Sequence, residues 1–164
     1  MRITTTGHRP KYWESIKGEK SGFFHQLDWY INFKGHDHSE LVFLHGCALG
    51  VDTWFGEYAM KNNIALELHP PFPVDVQIEK AKMDKKDIVE FRKQLEYATD
   101  IFVTNQNFSM YGYQKRNMAL VDNSDVVLGW YRVAKSGSGN CINYAKFRGV
   151  PNYNLRTMVF RRAQ

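Results

Sequence analysis

The sequence predicts an α/β fold, a Rossmann-like three-layer sandwich built on a mostly parallel sheet. Three observations predict it. Short apolar runs of strand length alternate with segments of helical period from end to end, and such alternation places parallel strands between two layers of helices. Two of the apolar runs, Leu41–His45 and Asp125–Trp130, lead straight into glycine-rich turns followed by helical segments. With 164 residues, 43% of them hydrophobic and 24% charged, the protein has the size and composition of one ordinary globular core. No linker, repeat or low-complexity stretch divides it, so residues 1–164 read as a single domain.

The elements follow in order. Arg2–Thr6 is β-prone and ends abruptly at Gly7-His8-Arg9-Pro10. Residues 11–20 are irregular or weakly helical. Phe23, Phe24, Leu27, Tyr30 and Ile31 recur at helical spacing and mark an amphipathic helix. Lys34–Glu40 is a polar loop, and its His36 and His38 have no matching cluster of metal ligands nearby in sequence. Leu41–His45 is the second strand; Gly46–Asp52 is its turn, with a helix from Thr53 to Lys61. Ile64–Leu68 is the third strand. The His69–Pro73 run cannot be helix or central strand and reads as a rigid rim loop that could wall a pocket. Residues 76–97 have helical period with a break near Asp84, their buried side marked by Ile88, Phe91, Leu95 and Ala98. Ile101–Thr104 is a fourth short strand and Tyr113–Val121 a helix. Asp125–Trp130 is the fifth strand, Lys135–Asn140 a glycine-rich loop and Cys141–Phe147 a helix. Asn152–Leu155 completes the sheet, and Thr157–Gln164 is a short basic tail.

Composition bounds the function. The net charge of +5 modestly favours acidic ligands or nucleic acid, but it is dispersed among KGEK, EKAKMDKK and FRRAQ, as on a solvated mixed-charge surface. No segment interleaves a basic run with aromatics, so nucleic acid is a partner the sequence leaves unsupported. The two cysteines, Cys47 and Cys141, are too few for a disulfide framework. With no long apolar segment and no apolar leader, the reading is a cytoplasmic protein without a membrane partner.

The candidate chemistry lies after the strands. In a parallel sheet, ligands bind beyond the carboxyl ends of the strands, so the turns after strands one, two, three and five converge on one edge. Gly7, His8 and Arg9 put a close backbone approach, an imidazole and a guanidinium after the first strand. Arg9 could hold a phosphate or carboxylate through its fork. Gly46, Cys47, Ala48 and Gly50 form the second turn, and Asp52 stands where a helix cap belongs or where an acid could bind a ribose hydroxyl. Arg116 and Asn117 add charge and an amide just before the fifth strand. Ser136, Gly137, Ser138, Gly139 and Asn140 place backbone N–H groups at a helix start. This constellation expects a phosphate-bearing, nucleotide-type small molecule, no required cofactor and no metal, and it leaves homo-oligomerisation open. Asn117 and Asn140 could bond the ribose or base. The two turns that carry Cys47 and Cys141 are expected to meet.

The motifs TGHRP, GCALGVDTWFGEYA, PFPVDVQ, YGYQKRNMALVDNSDVVLGWY and SGSGNCINYAKFRGVP, in this order, resemble the SLOG superfamily. The likeness is nearest to its YpsA-like branch, and the superfamily also includes the DNA-processing A proteins and the lonely-guy phosphoribohydrolases. The resemblance runs from Thr6 to Leu155. It implies a Rossmann-like fold, a pocket for nucleotides or their derivatives, and binding roles for Gly7–Arg9, Gly46–Asp52, Arg116, Asn117 and Ser136–Asn140. The sequence departs from the hydrolytic relatives at one place. Their PGGxGTxxE loop supplies a catalytic glutamate, whereas here the loop reads SGSGNCIN, with Asn143 near the glutamate position. An amide is no general base. The expectation is a protein that binds nucleotides, for sensing or regulation. The alternatives are a nucleoside 5'-monophosphate N-glycosidase, with Glu57, Asp52 or Asp122 as the displaced acid, and a module for single-stranded nucleic acid.

Overall fold

Six parallel strands run in the order β4-β3-β2-β1-β5-β6. They are β1 Arg2–Gly7, β2 Val42–His45, β3 Ala65–Leu68, β4 Asp100–Ile101, β5 Val126–Trp130 and β6 Asn152–Asn154. The computed structural model describes residues 1–8, 16–133 and 135–159. Among the described residues, six α-helices connect the strands: α1 Lys20–Lys34, α2 Val51–Lys61, α3 Val74–Lys80, α4 Lys85–Tyr97, α5 Met110–Asp122 and α6 Gly137–Arg148.

The first strand in sequence is central in space. Ile3 lies between Phe43 of β2 and Val126 of β5. Because β1 is covered on both faces, its polar residues need internal partners. Thr4 Oγ1 donates to the Leu44 carbonyl at 2.9 Å and Thr5 Oγ1 to the Leu128 carbonyl at 2.9 Å, so the two threonines tie β1 to both neighbours. One face carries the main core, where Ile3, Phe43, Leu66, Val126 and Leu128 meet α1 and α2 through Phe23, Leu27, Trp54 and Phe55. Phe43 and Phe55 stack with ring centroids 3.9 Å apart. The other face carries a smaller cluster in which Val127 meets Val121 of α5 and Cys141, Ile142 and Ala145 of α6.

Local chemistry sets the helix ends. Asp84 accepts from the Asp87 N–H at 2.9 Å and the Asp87 side chain returns the bond at 3.0 Å, which starts α4 and produces the expected break. Gly35 and Gly149 end α1 and α6 in the left-handed conformation. Strand β4 is shorter than expected, two residues instead of four, yet the backbone stays paired beyond it: Phe102 donates to the Leu68 carbonyl and Thr104 to the Pro70 carbonyl.

Two further expectations change. Residues 136–140 are not a loop: α6 starts at Gly137 because the Ser136 hydroxyl caps it, accepting from the Gly139 N–H at 3.2 Å. The 69–73 run is buried more than it is a rim. Phe72 is fully covered and packs edge-on to Tyr113 of α5. Residues 11–15 of the irregular stretch expected over 11–20 lie outside the described residues, as do Arg9 and the end of the basic tail.

Candidate functional site

The strand order defines where a cleft must form. Connections from β1 run outward through β2 and β3 to β4, and the backbone then returns to β5 on the other side of β1. Turns that leave β1 and β5 in opposite directions open a crevice at the carboxyl edge. There the structure has a cleft lined by Thr5, Thr6 and Gly7 from β1, Ala48 and Asp52 from the turn and helix after β2, Arg116, Asn117 and Leu120 from α5, and Gly137 and Ser138 from α6. Seven of the residues singled out in the sequence thus share one cleft: Gly7, Ala48, Asp52, Arg116, Asn117, Gly137 and Ser138. Cys47 and Cys141 are buried beside it, both close enough to Asp52 and Arg116 to feel their charges. Burial pushes the Cys141 thiol up to about 12 and the Cys47 thiol higher still, so neither is a thiolate.

The turn after β2 is closed on itself. Gly50, at φ 98°, is the residue before α2 and provides no side-chain cap. Asp52 is therefore not the cap. It sits in the first turn of α2, and its Oδ2 accepts from the Gly46 and Ala48 N–H groups, each at 3.1 Å. The intervening Cys47 is held at φ 60°, a left-handed conformation that costs a non-glycine residue about 1–2 kcal/mol. Two partners hold it there. Its N–H donates to His45 Nδ1 at 3.0 Å, and its carbonyl accepts from Gln77 Nε2 at 2.8 Å. Since His45 Nδ1 accepts, Nε2 carries the proton and donates to Gln94 Oε1 at 2.7 Å. Burial holds His45 below the ordinary imidazole range. The amides of Gly46, Cys47 and Ala48 are thus committed to the protein's own side chains.

Arg116 closes the same turn from α5. It is 3% exposed. Its Nη1 donates to the Gly46 carbonyl, and its Nε donates to Asn117 Oδ1 at 3.0 Å. A Cβ at position 46 would land inside the Arg116 guanidinium, so this approach requires glycine. With the arginine in place the cleft has a volume of about 20 Å³, room for one water-sized group.

The approach from β5 differs. His8 Nε2 accepts from the Arg132 N–H at 2.8 Å and the Val133 N–H at 3.1 Å. Burial, then the charges of Arg132 and Arg156, lower its pKa, which suits a neutral acceptor. His8 thus positions the segment that enters α6 and does not line the cleft. Glu19 ties down the same region, accepting from Trp130 Nε1, Arg132 Nη2 and Arg156 Nε. Gly137 and Ser138 reach the cleft with the N-terminus of a 12-residue helix behind them. Asn140 and Asn143 are exposed on α6.

Among the three acids considered for catalysis, only Asp52 lines the cleft. Glu57 pairs with Lys20, and Asp122 accepts from Tyr144 and Arg148 at the far end of α5. Sequence reasoning missed Thr5 and Thr6, whose signal is their place at the carboxyl end of the first strand, where TGHRP begins. It also gave no role to Gln77, although Gln77 ends the PFPVDVQ motif. Among the described residues no group of three or more His, Cys, Asp or Glu could hold a metal ion, and no helix is long and apolar enough to cross a membrane.

No family model matches the sequence, and no curated protein matches it. Solved structures do. The DNA processing protein A (DprA) of Streptococcus pneumoniae aligns with a TM-score of 0.63 at 17% identity, over 92% of this chain and 48% of that one. The DNA processing protein A of Helicobacter pylori, described for its single-stranded DNA binding mode, aligns with a TM-score of 0.58 at 19% identity, over 93% and 63%. The structural-genomics target TM1055 aligns with a TM-score of 0.60 at 14% identity, over 92% and 71%. This chain spans about half to two thirds of the length of the two DNA-processing proteins. At these identities the likeness is one of fold: a Rossmann-like α/β fold on a parallel sheet, as the sequence predicted.

Proposed function

We propose that the domain binds a nucleotide or nucleotide-derived ligand at the carboxyl edge of its sheet, as a sensing or regulatory module. One observation carries the reading: Gly7, Ala48, Asp52, Arg116, Asn117, Gly137 and Ser138, drawn from four separate stretches of sequence, line a single cleft at the switch point of the sheet. The α6 N-terminus supplies the positive end of a helix dipole, and Arg116 supplies a guanidinium. Asp52 is engaged by two backbone amides and Asn143 is exposed elsewhere, which favours binding over hydrolysis. The test is a thermal-shift screen of nucleoside monophosphates, ADP-ribose and NAD. A true ligand at a hundred times its Kd adds about 2.7 kcal/mol of stability. No shift from any member at millimolar concentration overturns the reading. Rapid release of free base, at about 1 s⁻¹ or above, would convert the binder into a hydrolase with Asp52 as its acid.

A second reading has its own observation. Phe108 and Tyr111 are exposed at the start of α5, with Lys80 Nζ 4.4 Å from the Phe108 ring centre and Lys115 Nζ 5.6 Å from that of Tyr111. Exposed rings beside lysines suit stacked bases and phosphates of a single strand. Fluorescence anisotropy with an oligo(dT) probe tests this, and salt-dependent binding lost in Tyr111→Ala would support it.

A further inference from the structure

Beside the cleft lies a cavity of about 270 Å³ that the nucleotide reading does not use. Ligand pockets usually span about 300–1,000 Å³, so a volume just below that range suits one ring system better than a whole nucleotide. Its walls come from three stretches: Ala48 and Leu49 from the turn after β2, Lys80, Ala81 and Lys82 from the end of α3, and Tyr113 from α5. The walls are tied together. Gln77 of α3 donates from Nε2 to the Cys47 carbonyl at 2.8 Å, and the Tyr113 ring stands edge-on to Phe72 and Phe108. Ala48, Leu49, Ala81 and the Tyr113 ring make the cavity largely apolar. Among the described residues its charged lining is Lys80 and Lys82, and none of the lining residues is acidic.

Lys82 is held there against backbone preference. The end of α3 is a Schellman motif, in which the Lys82 N–H donates to the Glu79 carbonyl at 3.1 Å and the Met83 N–H to the Ile78 carbonyl at 3.2 Å. The motif puts Lys82 at φ 52°, a left-handed conformation for which glycine is the favoured residue. Glycine would close the helix with less strain but would bring no charge to the cavity. Among the described residues three other than glycine have positive φ, and two of them, Cys47 and Lys82, stand next to or in these walls. Backbone strain gathered round a cavity points to a function. Lys80 is also positioned: its Nζ lies 4.4 Å from the Phe108 ring centre. A ring face takes up part of an ammonium's charge and leaves N–H donors for an anion.

We propose that this cavity binds a small aromatic anion: its ring lies among Leu49, Ala81 and Tyr113, and its phosphate or carboxylate is held by Lys80 and Lys82. The site is distinct from the cleft at Arg116, and the inference does not rest on the nucleotide reading.

The test is calorimetric titration of the intact protein with 1-naphthyl phosphate, 1-naphthoate, neutral 1-naphthol and inorganic phosphate. The expected result is binding of one or both aromatic anions, with 1-naphthol and inorganic phosphate each about tenfold weaker or more. The tighter of the two anions identifies the acidic group and is carried into Lys82→Gly and Ala81→Trp. Lys82→Gly should melt no lower than the unmodified protein, because glycine suits the left-handed position, and yet bind the anion about fivefold more weakly. A merely structural role for Lys82 would not separate stability from affinity in this way. Ala81→Trp fills the cavity and should weaken the anion about tenfold. No binding of either aromatic anion at millimolar concentration, 1-naphthol binding as well as the anions, or unchanged affinity in Lys82→Gly overturns the proposal. Binding lost in Arg116→Ala and untouched in Lys82→Gly would place the anion in the cleft, which overturns the cavity site and leaves the nucleotide reading intact.

Discussion

The turn after β2 and the turn after β5 read alike in sequence, strand then glycines then helix, yet they end in opposite states. After β2 the glycines let the backbone curl around Asp52, whose carboxylate takes the Gly46 and Ala48 amides. After β5 the glycines belong to a helix whose first turn is capped by an uncharged serine. One turn carries its own anion and the other carries none. Glycine spacing reports that backbone can approach an anion; it does not report whose anion that is.

Four measurements break or sharpen this contrast. The largest effect belongs to Asp52→Ala, which leaves two amides of the β2 turn without their acceptor. Urea unfolding should show a loss of about 3 kcal/mol, since hydrogen bonds to charged groups contribute about 1.5–3 kcal/mol each. Ser136→Ala, the matching change at α6, should lose about 1 kcal/mol. Equal losses would mean that the turns are built alike after all.

Arg116→Ala comes next. In calorimetry it should weaken a phosphorylated ligand by about 1.5–3 kcal/mol. Lys115→Ala should do less, because its ammonium lies over the Tyr111 ring and it does not line the cleft. Gly46→Ala should lower stability by about 2 kcal/mol, within the usual range for overpacking, because the new methyl group displaces Arg116. Full stability in that variant would show that the arginine is free to leave the Gly46 carbonyl.

The smallest change is in pH. His45 and His8 each accept backbone N–H groups, one in each region, and burial lowers both pKa values from 6.5. The unfolded state therefore binds protons before the folded one, and stability is lost as pH falls through about 6.5. At pH 6.5 the pair should account for under about 1 kcal/mol. Thermal melts between pH 8 and pH 5.5 that show no decline would mean that the imidazoles are not serving as neutral acceptors.

Much of this was legible in the sequence because it depends on local periodicity. The strands from Leu41, Ile64 and Asp125, the α1 helix and the break at Asp84 all follow from apolar spacing and capping chemistry. The convergence of Gly7, Asp52, Arg116 and Ser138 follows from parallel topology alone. The use of each group was not legible, because it depends on partners distant in sequence. Gln77 closes on Cys47 from thirty residues away, and Arg116 reaches the Gly46 carbonyl from seventy. α6 starts earlier than the sequence predicts because the Ser136 cap and packing of the helix override the poor helix propensity of glycine. The flanking prolines of Phe72 predict a rim, although its burial comes from α5, which follows much later in the sequence.

The central position of β1 has a consequence for synthesis. Of the six strands, β1 is translated before the others and has two neighbours, β2 and β5. The segment from Val42 to His45 can cover one side soon after it emerges. The other side waits for Val126–Trp130, much later in translation. Until then a nascent polypeptide that has paired β1 with β2 carries a bare row of backbone donors and acceptors along what will become the middle of its sheet. Such an edge is a template for unwanted pairing. Slow codons between β2 and β5 would lengthen the exposure of that edge.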